Sequence, residues 1–377
     1  KLKKGILAAA EALNSHRSKA LVVSGSTNVN VQVIVNAINE AVGANGNTIN
    51  WSAPLQSFQG DDAAMESLLA DLENGKVGSL IIYGVNPAYE YHAAGRFAKA
   101  IKNVKLSVSL NERLDETAEL CTYVVPSHHF LESWGDAEPK KGSVSLMQPT
   151  INPLFTTRQY QDSLLKWSGN AATYETVFRN AWVSRLGSVD NFNKALQDGV
   201  VESEAPASAA SFNGAAVSSA ITAAAVSGKA SKAEVVIYQK VSLGDGKQAN
   251  NPWLQELPDP ITKATWDNYA MVSPQFGKEV LGIDISDAHQ ADDYEVNMTK
   301  PVVSFTINKQ EVTLPVLIVP GMQANTVAIA VGFGRSEKTG RAANGVGKNA
   351  YPLLSYNGTT VDWHTTDVAY AKTEEVY

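Results

Sequence analysis

The first part of the chain alternates between two hydrophobic patterns. Leu2, Ile6 and Leu13 recur at helical spacing, so residues 1–15 are predicted to form an amphipathic helix. Short apolar runs that end in polar turns follow, separated by further stretches of helical period, and such runs are typical of buried parallel strands. The predicted strands are 20–23, 48–51, 80–83, 104–110 and 123–125. Strand–helix alternation of this kind predicts a Rossmann-like α/β domain with a parallel sheet and right-handed crossovers.

The second part of the chain has a different pattern. Apolar stripes predict helices over about 157–200, and residues 202–232 are rich in Ala and Ser, which predicts either a linker or a poorly packed helix that proteases cut first. Beyond this segment come several short strands, and Asn308-Lys309 is a predicted hairpin turn. These strands are 235–238, 269–272, 302–307, 312–319 and 327–331. We therefore expect a Rossmann-like domain at 1–170, a helical and Ala/Ser-rich connection at 171–232 and a C-terminal β-barrel at 233–377.

Composition narrows the classes of partner. The 377 residues are 44% hydrophobic and 18% charged, which is ordinary for a globular protein with a sizeable core. The formal net charge of -7 argues against nucleic acid as the main partner. Apolar runs stay shorter than the roughly 18 residues of a membrane span. The sequence opens on Lys1 without a signal-peptide pattern, so we expect a fragment or a processed chain.

Cys121 is the only cysteine. An iron–sulfur cluster needs about four cysteine ligands, and a structural zinc site needs several Cys or His ligands at short spacing. We therefore expect neither centre within this chain, and an intrachain disulfide is impossible. Cys121 sits on an apolar face before the strand at 123–125 and is predicted to be buried and unreactive.

Three polar turns follow predicted strands and are candidates for a binding edge, because open α/β sheets bind ligands at the carboxyl ends of their strands. Gly and Asn in these turns permit positive φ and close approach of a ligand, although tight βα turns need the same residues. The sequence contains neither GxGxxG nor GxxxxGK[ST], so it lacks the usual dinucleotide and P-loop motifs. The candidate residues are Gly25, Ser26, Thr27, Gly84, Asn86, Pro87 and Asn111.

Two loops add further candidates. In the loop after residue 125, Glu132 is a candidate general base or, as we favour, an acceptor of backbone hydrogen bonds. His128 and His129 are adjacent and point to opposite faces of an extended segment, which disfavours a metal site. The Gly-rich segment 341–349, with Arg335 and Lys348, is either a site for phosphate or pterin or a surface loop. Gly135, Gly347 and Asn349 complete the set of candidate binding residues.

Several motifs resemble those of the molybdopterin oxidoreductase (DMSO reductase) family. These motifs, in the order of that family, are Ile82-Tyr-Gly-Val-Asn-Pro87, Glu116-Thr-Ala118, Val124-Val-Pro126 and Glu132-x-x-Gly135. The resemblance implies that the C-terminal strands form a dinucleotide-binding barrel of the double-psi type. It also implies that the candidate residues bind molybdopterin guanine dinucleotide, or are the remnant of a site that did.

A closer resemblance is to the large iron–sulfur subunit of bacterial alternative complex III, a quinol-oxidising respiratory complex. It is carried by His129-Phe-Leu-Glu-Ser-Trp-Gly-Asp-Ala-Glu-Pro139, Gln148-Pro-Thr-Ile-Asn-Pro153, Arg158-Gln159 and Asn251-Pro-Trp-Leu-Gln-Glu-Leu-Pro-Asp-Pro260. In that subunit the molybdopterin-like half carries no molybdenum, and the 4Fe-4S clusters lie in a separate half. Here Cys121-Thr122 replaces the family's Ala-Asp, and Ser143 replaces its basic residue.

The resemblance therefore implies a cofactor-free scaffold domain of an electron-transfer subunit, without catalytic or metal-binding residues of its own. Its implied partners are other subunits of a membrane-bound respiratory complex, and its implied place is peripheral, on the periplasmic side of the bacterial inner membrane, without direct membrane insertion. Two alternatives remain open from the sequence. One is the cofactor-binding part of an active molybdopterin-dependent oxidoreductase, and the other is a free-standing nucleotide-binding protein.

Overall fold

The computed structural model describes residues 2–57, 59–203, 211–227 and 233–377. Its helices in this part of the chain are either too short or too polar to cross a bilayer. The helices are α1 Leu2–Ser15, α2 Val29–Ala41, α3 Asp62–Glu73, α4 Ala94–Ala100, α5 Tyr160–Trp167, α6 Tyr174–Leu186, α7 Val189–Asp198, α8 Val217–Ser227, α9 Pro252–Glu256, α10 Pro274–Phe276 and α11 Ala288–Val296.

Fifteen strands are present among the described residues. The first six are β1 Ser79–Ile82, β2 Leu106–Ser109, β3 Tyr123–Val124, β4 Gly135–Lys140, β5 Ser143–Met147 and β6 Val200–Glu202. The remainder are β7 Glu234–Gln239, β8 Ala270–Val272, β9 Pro301–Ile307, β10 Gln310–Ile318, β11 Thr326–Val331, β12 Ser355–Tyr356, β13 Val361–Asp362, β14 His364–Thr365 and β15 Val368–Val376. The fold is therefore a mixed α/β one, as the pattern predicts.

A three-stranded parallel sheet forms the centre of the first part, in the order β1-β2-β3. Helix α3 begins where the Asp61 side chain accepts the Ala64 N–H, a capping bond that satisfies one free amide. Leu69 and Leu72 of α3 pack with Phe97 of α4 against one face of this sheet. This packing confirms the predicted strands at 80–83, 104–110 and 123–125, with β2 confined to Leu106–Ser109.

A second, antiparallel sheet of order β4-β5-β6 covers a separate core. Phe178 and Trp182 of α6 pack there with Phe192 of α7, and the Trp182 indole donates to Asp136 Oδ2 at 2.8 Å. The sequence analysis does not predict β4, which follows the loop that contains Glu132. Strand β4 is almost entirely polar and exposed, so it lacks the alternation by which strands are recognised.

The C-terminal part contains a curled seven-stranded sheet, a half-barrel of order β14-β7-β11-β8-β10-β9-β15. Its core contains Val235, Val272, Phe305, Leu314 and Ile329, which are all fully or nearly fully buried. The five strands that the sequence predicts are all present. The double-psi arrangement within this sheet stays a prediction.

The turn between β9 and β10 is the predicted hairpin turn. Asn308 and Lys309 both have positive φ, 48° and 67°, as a two-residue turn of the type favoured between right-twisted strands requires. The Asn308 side chain further donates to the Leu353 carbonyl at 2.7 Å. The turn therefore sets the β9–β10 register and also anchors the segment after the half-barrel.

Residues 20–23 correct one prediction, because they form no strand. Val22 does not join the parallel sheet; its N–H and carbonyl are instead bonded by the Asn39 side chain, at 2.9 and 2.8 Å. Leu21 and Val23 are 49% and 79% exposed. Residues 48–51 are likewise not a strand, since they close a tight turn in which Ile49 bridges Asn45. The parallel sheet is thus smaller than the five strands predicted.

Helix α8 lies within the Ala/Ser-rich segment and packs against α2. The helical alternative that the sequence left open therefore holds for 217–227. Residues 204–210 and 228–232, which belong to the same predicted connection, lie outside the described residues. The domain boundaries at 170 and 232 remain predictions.

Asn39 is 2% exposed, so replacing it with Ala leaves two backbone groups of Val22 without their partner. We expect Asn39→Ala to lower the free energy of unfolding by about 1–3 kcal/mol. Asn14→Ala on the exposed face of α1 is the control and should change it by less than about 0.5 kcal/mol. Urea denaturation measures both, and equal effects of the two substitutions would contradict this account of residues 20–23.

Candidate functional site

A cavity of about 370 Å³ lies where the parallel sheet meets the C-terminal half-barrel. It is lined on the sheet side by residues after β1 and β2, and on the C-terminal side by Asp245, Lys247, Gln248, Arg335 and Thr339. This is the edge at which open α/β sheets place ligands. Gly84, Asn86 and Asn111, three of the candidates chosen from the sequence, line it together.

The buried Asn111 side chain holds the turn after β1 in place. Its Oδ1 accepts the Gly84 N–H at 2.7 Å, and its Nδ2 donates to the Val85 carbonyl at 3.0 Å and to Asp115 at 2.8 Å. Gly84 has a φ of +72°, a backbone conformation that residues with a Cβ rarely adopt. The two strand ends are therefore joined by one amide, which leaves that amide no free donor for a ligand.

Asn86 also joins the segment after β1 to the segment after β2. Its Oδ1 accepts hydrogen bonds from the N–H and the hydroxyl of Thr117, at 3.1 and 2.7 Å. The Asn86 N–H donates to Glu90 Oε1 at 2.6 Å. Pro87, which follows, does not line the cavity; the next N–H, of Ala88, donates to the Thr117 hydroxyl at 2.9 Å.

The carboxylate of Glu116 accepts five hydrogen bonds. Arg335 binds it in a bidentate manner, with Nε 3.0 Å from Oε1 and Nη2 2.7 Å from Oε2. Oε1 also accepts the Ser336 N–H at 3.0 Å and the Thr339 hydroxyl at 3.2 Å, while Oε2 accepts Asn86 Nδ2 at 2.7 Å. Three of these four donor residues lie on the half-barrel side, so Glu116 joins the two halves.

Arg335 is itself enclosed. Its side chain is 4% exposed, its Nη1 donates to the Gly246 carbonyl, and its guanidinium lies 4.2 Å from the centre of the Tyr89 ring. The Tyr89 hydroxyl in turn donates to the Phe333 carbonyl at 2.7 Å. The ion pair is thus packed between aromatic and backbone groups of both halves, where salt screens it little.

Burial and hydrogen bonding set the pKa values here. Burial acts to raise the pKa of Glu116, but hydrogen bonds from Arg335, Ser336 and Asn86 outweigh it and lower this pKa to about 2. Burial also opposes the charge of Arg335, yet its bonds to Glu116 raise its pKa. For Glu90 burial dominates, so its pKa is raised. The Glu116–Arg335 pair is therefore ionised throughout the physiological range.

The residues of the cavity do not fit a pterin dinucleotide. The diphosphate of such a cofactor needs backbone N–H donors and basic side chains. The N–H groups of Gly84 and Asn86 already have acceptors within the chain, and Lys247 Nζ donates to the Gly84 carbonyl at 2.7 Å. The charged side chains that line the cavity are the carboxylates Glu90, Glu112, Asp115 and Asp245 and the bases Arg113, Lys247 and Arg335. A diphosphate would therefore meet four carboxylates, an Arg335 that is already paired with Glu116, and Gly84 and Asn86 amides that are already occupied.

Gly25, Ser26 and Thr27 lie outside this cavity. They were predicted to follow a strand at 20–23 and so to lie at the edge of the parallel sheet. The structure has no strand at 20–23, so this turn is not at that edge. The Thr27 hydroxyl donates instead to the Val361 carbonyl at 2.9 Å. This turn thus contacts the C-terminal part at a point away from the cavity.

Glu132 and Gly135 also lie elsewhere. Glu132 accepts the N–H groups of His129 at 3.0 Å and Leu154 at 2.9 Å, and these bonds lower its pKa. It is therefore an acceptor of backbone hydrogen bonds, as the sequence analysis favoured. Gly135 begins β4, where a Cβ would lie 3.0 Å from Met147 Cε.

Within the described residues, no group of three or more His, Cys, Asp or Glu side chains is placed to hold a metal ion.

Gly347 and Asn349 pack beside the cavity without lining it. Gly347 has a φ of +64°, and an added Cβ would lie 2.5 Å from Asn268 Oδ1, so only glycine fits. Asn349 Nδ2 donates to the Tyr89 carbonyl at 3.2 Å. This segment therefore supports the junction between the halves.

Sequence reasoning missed Glu116 as a functional residue, although Glu116-Thr-Ala118 contributed to the family resemblance. Arg335 was a candidate for phosphate binding, and the structure pairs it with Glu116 instead. Asp245 and Lys247, which also line the cavity, belong to none of the motifs identified in the sequence. Cys121 is half-buried and not fully buried as predicted. Its thiol lies 3.4 Å from the Thr117 carbonyl, and burial raises its pKa, which disfavours the reactive thiolate.

Comparisons with known proteins give a fold and no closer assignment. No family model and no curated protein matches the chain. Among solved structures, the chain is similar to acetylene hydratase from Pelobacter acetylenicus, with a TM-score of 0.52 and 15% sequence identity over 82% of this chain. The match covers 46% of the hydratase, so the chain spans just under half of that protein's length. The likeness shows a shared fold.

Removing one charge of the Glu116–Arg335 pair leaves the other buried without a partner. We expect Glu116→Gln to lower the free energy of unfolding by about 3 kcal/mol, as breaking a buried ion pair does. Glu119→Gln is a matched control, because Glu119 joins the halves through an exposed ion pair with Lys338 at 3.7 Å. That control should cost less than about 1 kcal/mol. Chemical denaturation compares the two, and similar losses would contradict the central place of Glu116.

The low pKa of Glu116 also predicts how this contribution depends on pH. The folded-state pKa of about 2 lies below the ordinary value of 4.5, so the carboxylate stabilises the folded state fully above pH 4.5. That contribution is lost as the pH falls from 4.5 towards 2. The stability difference between the wild type and Glu116→Gln should therefore narrow progressively on acidification, as urea titrations from neutral pH to about pH 3 can measure. A constant difference would show that the charge is not responsible.

Proposed function

We propose that this chain is a cofactor-free scaffold domain of a molybdopterin oxidoreductase-like iron–sulfur subunit. In this proposal it belongs to a quinol-oxidising respiratory electron-transfer complex such as alternative complex III. Its partners are the other subunits of that complex, and it sits peripherally on the periplasmic side of the inner membrane. The fold likeness supports the family, and the motifs at 129–139 and 251–260 support the particular complex.

One observation carries the cofactor-free part of the proposal. The polar groups at the sheet edge bind one another across the two halves instead of remaining free. The Asn86, Glu116 and Arg335 side chains are bonded together. Four carboxylates line the neighbouring space beside Arg113 and Lys247. A site kept for a diphosphate would retain free donors. The cleft in this proposal therefore joins the halves and gives the subunit a fixed shape.

A second candidate function is the cofactor-binding part of an active molybdopterin-dependent oxidoreductase. The observation that favours it is the fold likeness to an enzyme, acetylene hydratase. In that case, molybdopterin guanine dinucleotide would supply the redox chemistry, and iron–sulfur clusters would lie in parts of the protein other than this chain. The residues nearest to it here would be Gly84, Asn86 and Asn111.

Analysis of the native full-length protein distinguishes the two candidates. We expect denaturation to release pterin far below one equivalent and to release no stoichiometric molybdenum, with an established molybdopterin enzyme assayed in parallel. This chain alone should be colourless and bind no iron, because one cysteine cannot hold a cluster. Near-stoichiometric pterin would overturn the scaffold proposal and favour the enzyme.

A further inference from the structure

We propose that the donors around Glu116 form a complete anion-binding site, which the chain occupies with its own carboxylate. The site is defined by Asn86, Arg335, Ser336 and Thr339. It would accept inorganic phosphate or a small carboxylate if the Glu116 side chain were absent. The donors lie at the junction of the two halves, and their chemistry does not depend on whether the neighbouring cleft holds a cofactor.

The donors have the composition of an anion site. A guanidinium, a backbone N–H, a hydroxyl and a side-chain amide converge on one carboxylate within 2.7–3.2 Å. Arginine binds carboxylate and phosphate with the same two parallel N–H bonds, so the geometry does not distinguish the two anions. The Tyr89 ring and the Gly246 carbonyl hold the guanidinium from behind. The site is therefore preorganised by groups that do not contact the anion.

The Glu116 carboxylate is surrounded by more hydrogen-bond donors than its two oxygens can accept with good geometry. Oε1 of Glu116 alone accepts three hydrogen bonds, from Arg335, Ser336 and Thr339. The Ser336 hydroxyl is buried and has no hydrogen-bond partner among the described residues. A tetrahedral anion with four oxygens could share these donors more evenly than a carboxylate does. Among these donor residues, the Ser336 hydroxyl is thus the one group that Glu116 leaves unused.

Truncation of Glu116 tests the inference directly. In Glu116→Ala, the donors remain and the carboxylate is removed, so we expect a lower melting temperature than that of the wild type. Added inorganic phosphate, and separately acetate, should raise it progressively, because a ligand that binds only the folded state stabilises it by mass action. Sodium chloride at matched ionic strength should not. The wild-type chain should show no such response, since its site is filled.

Two variants make the result decisive. Glu116→Gln fills the site without a charge and should gain nothing from phosphate. Glu119→Ala removes the neighbouring exposed carboxylate and should behave as the wild type does. Equal stabilisation of all variants by phosphate would overturn the inference, as would a Glu116→Ala protein that neither anion stabilises. Aggregation of Glu116→Ala in every buffer, beside a folded Glu116→Gln, would also count against it.

The outcome is independent of the pterin assay. Rescue of Glu116→Ala by phosphate would support the anion site even if the native protein released pterin. Failure of rescue would leave the scaffold proposal to be judged by the pterin assay alone. The two proposals can therefore fail separately.

Discussion

The Glu116–Arg335 ion pair is the interaction on which the relation between the two halves depends. It is enclosed by protein, and every oxygen and nitrogen that it presents has a partner within reach. A buried ion pair adds little net stability compared with apolar packing, but breaking it is costly because one charge is left alone. The pair therefore acts chiefly by fixing one arrangement of the sheet edge against the half-barrel.

The fold was predictable from the sequence where its causes are local. The run before Tyr83 is a strand that pairs with β2, a strand nearby in the chain. Asn308-Lys309 is a turn between two strands that are adjacent in sequence, and Asn is a residue that tolerates positive φ. Residues 20–23 have the same apolar character and are not a strand. The reason is that the Asn39 side chain bonds the N–H and the carbonyl of Val22, as the backbone of a neighbouring strand would do. The composition of residues 20–23 does not reveal this pairing.

The site was predictable only in part, for a related reason. Gly84, Asn86 and Asn111 follow strands, and parallel strands bring such turns to one edge. Their chemistry depends on Arg335, which is 219 residues from Glu116 and belongs to the other half. A sequence read alone shows a basic residue near a glycine-rich segment and suggests phosphate. The structure shows that this base, Arg335, is already paired with Glu116, so it is not free to bind a phosphate.

The separation of 219 residues has a consequence for how the chain is made. A ribosome adds about 5–20 residues each second, so Glu116 emerges roughly 10–40 s before Arg335. During that interval, Asn86 is the one member of the donor set that has already been synthesised. The first half therefore spends that interval with Glu116 lacking its guanidinium partner, so the junction can form only once Arg335 has been synthesised.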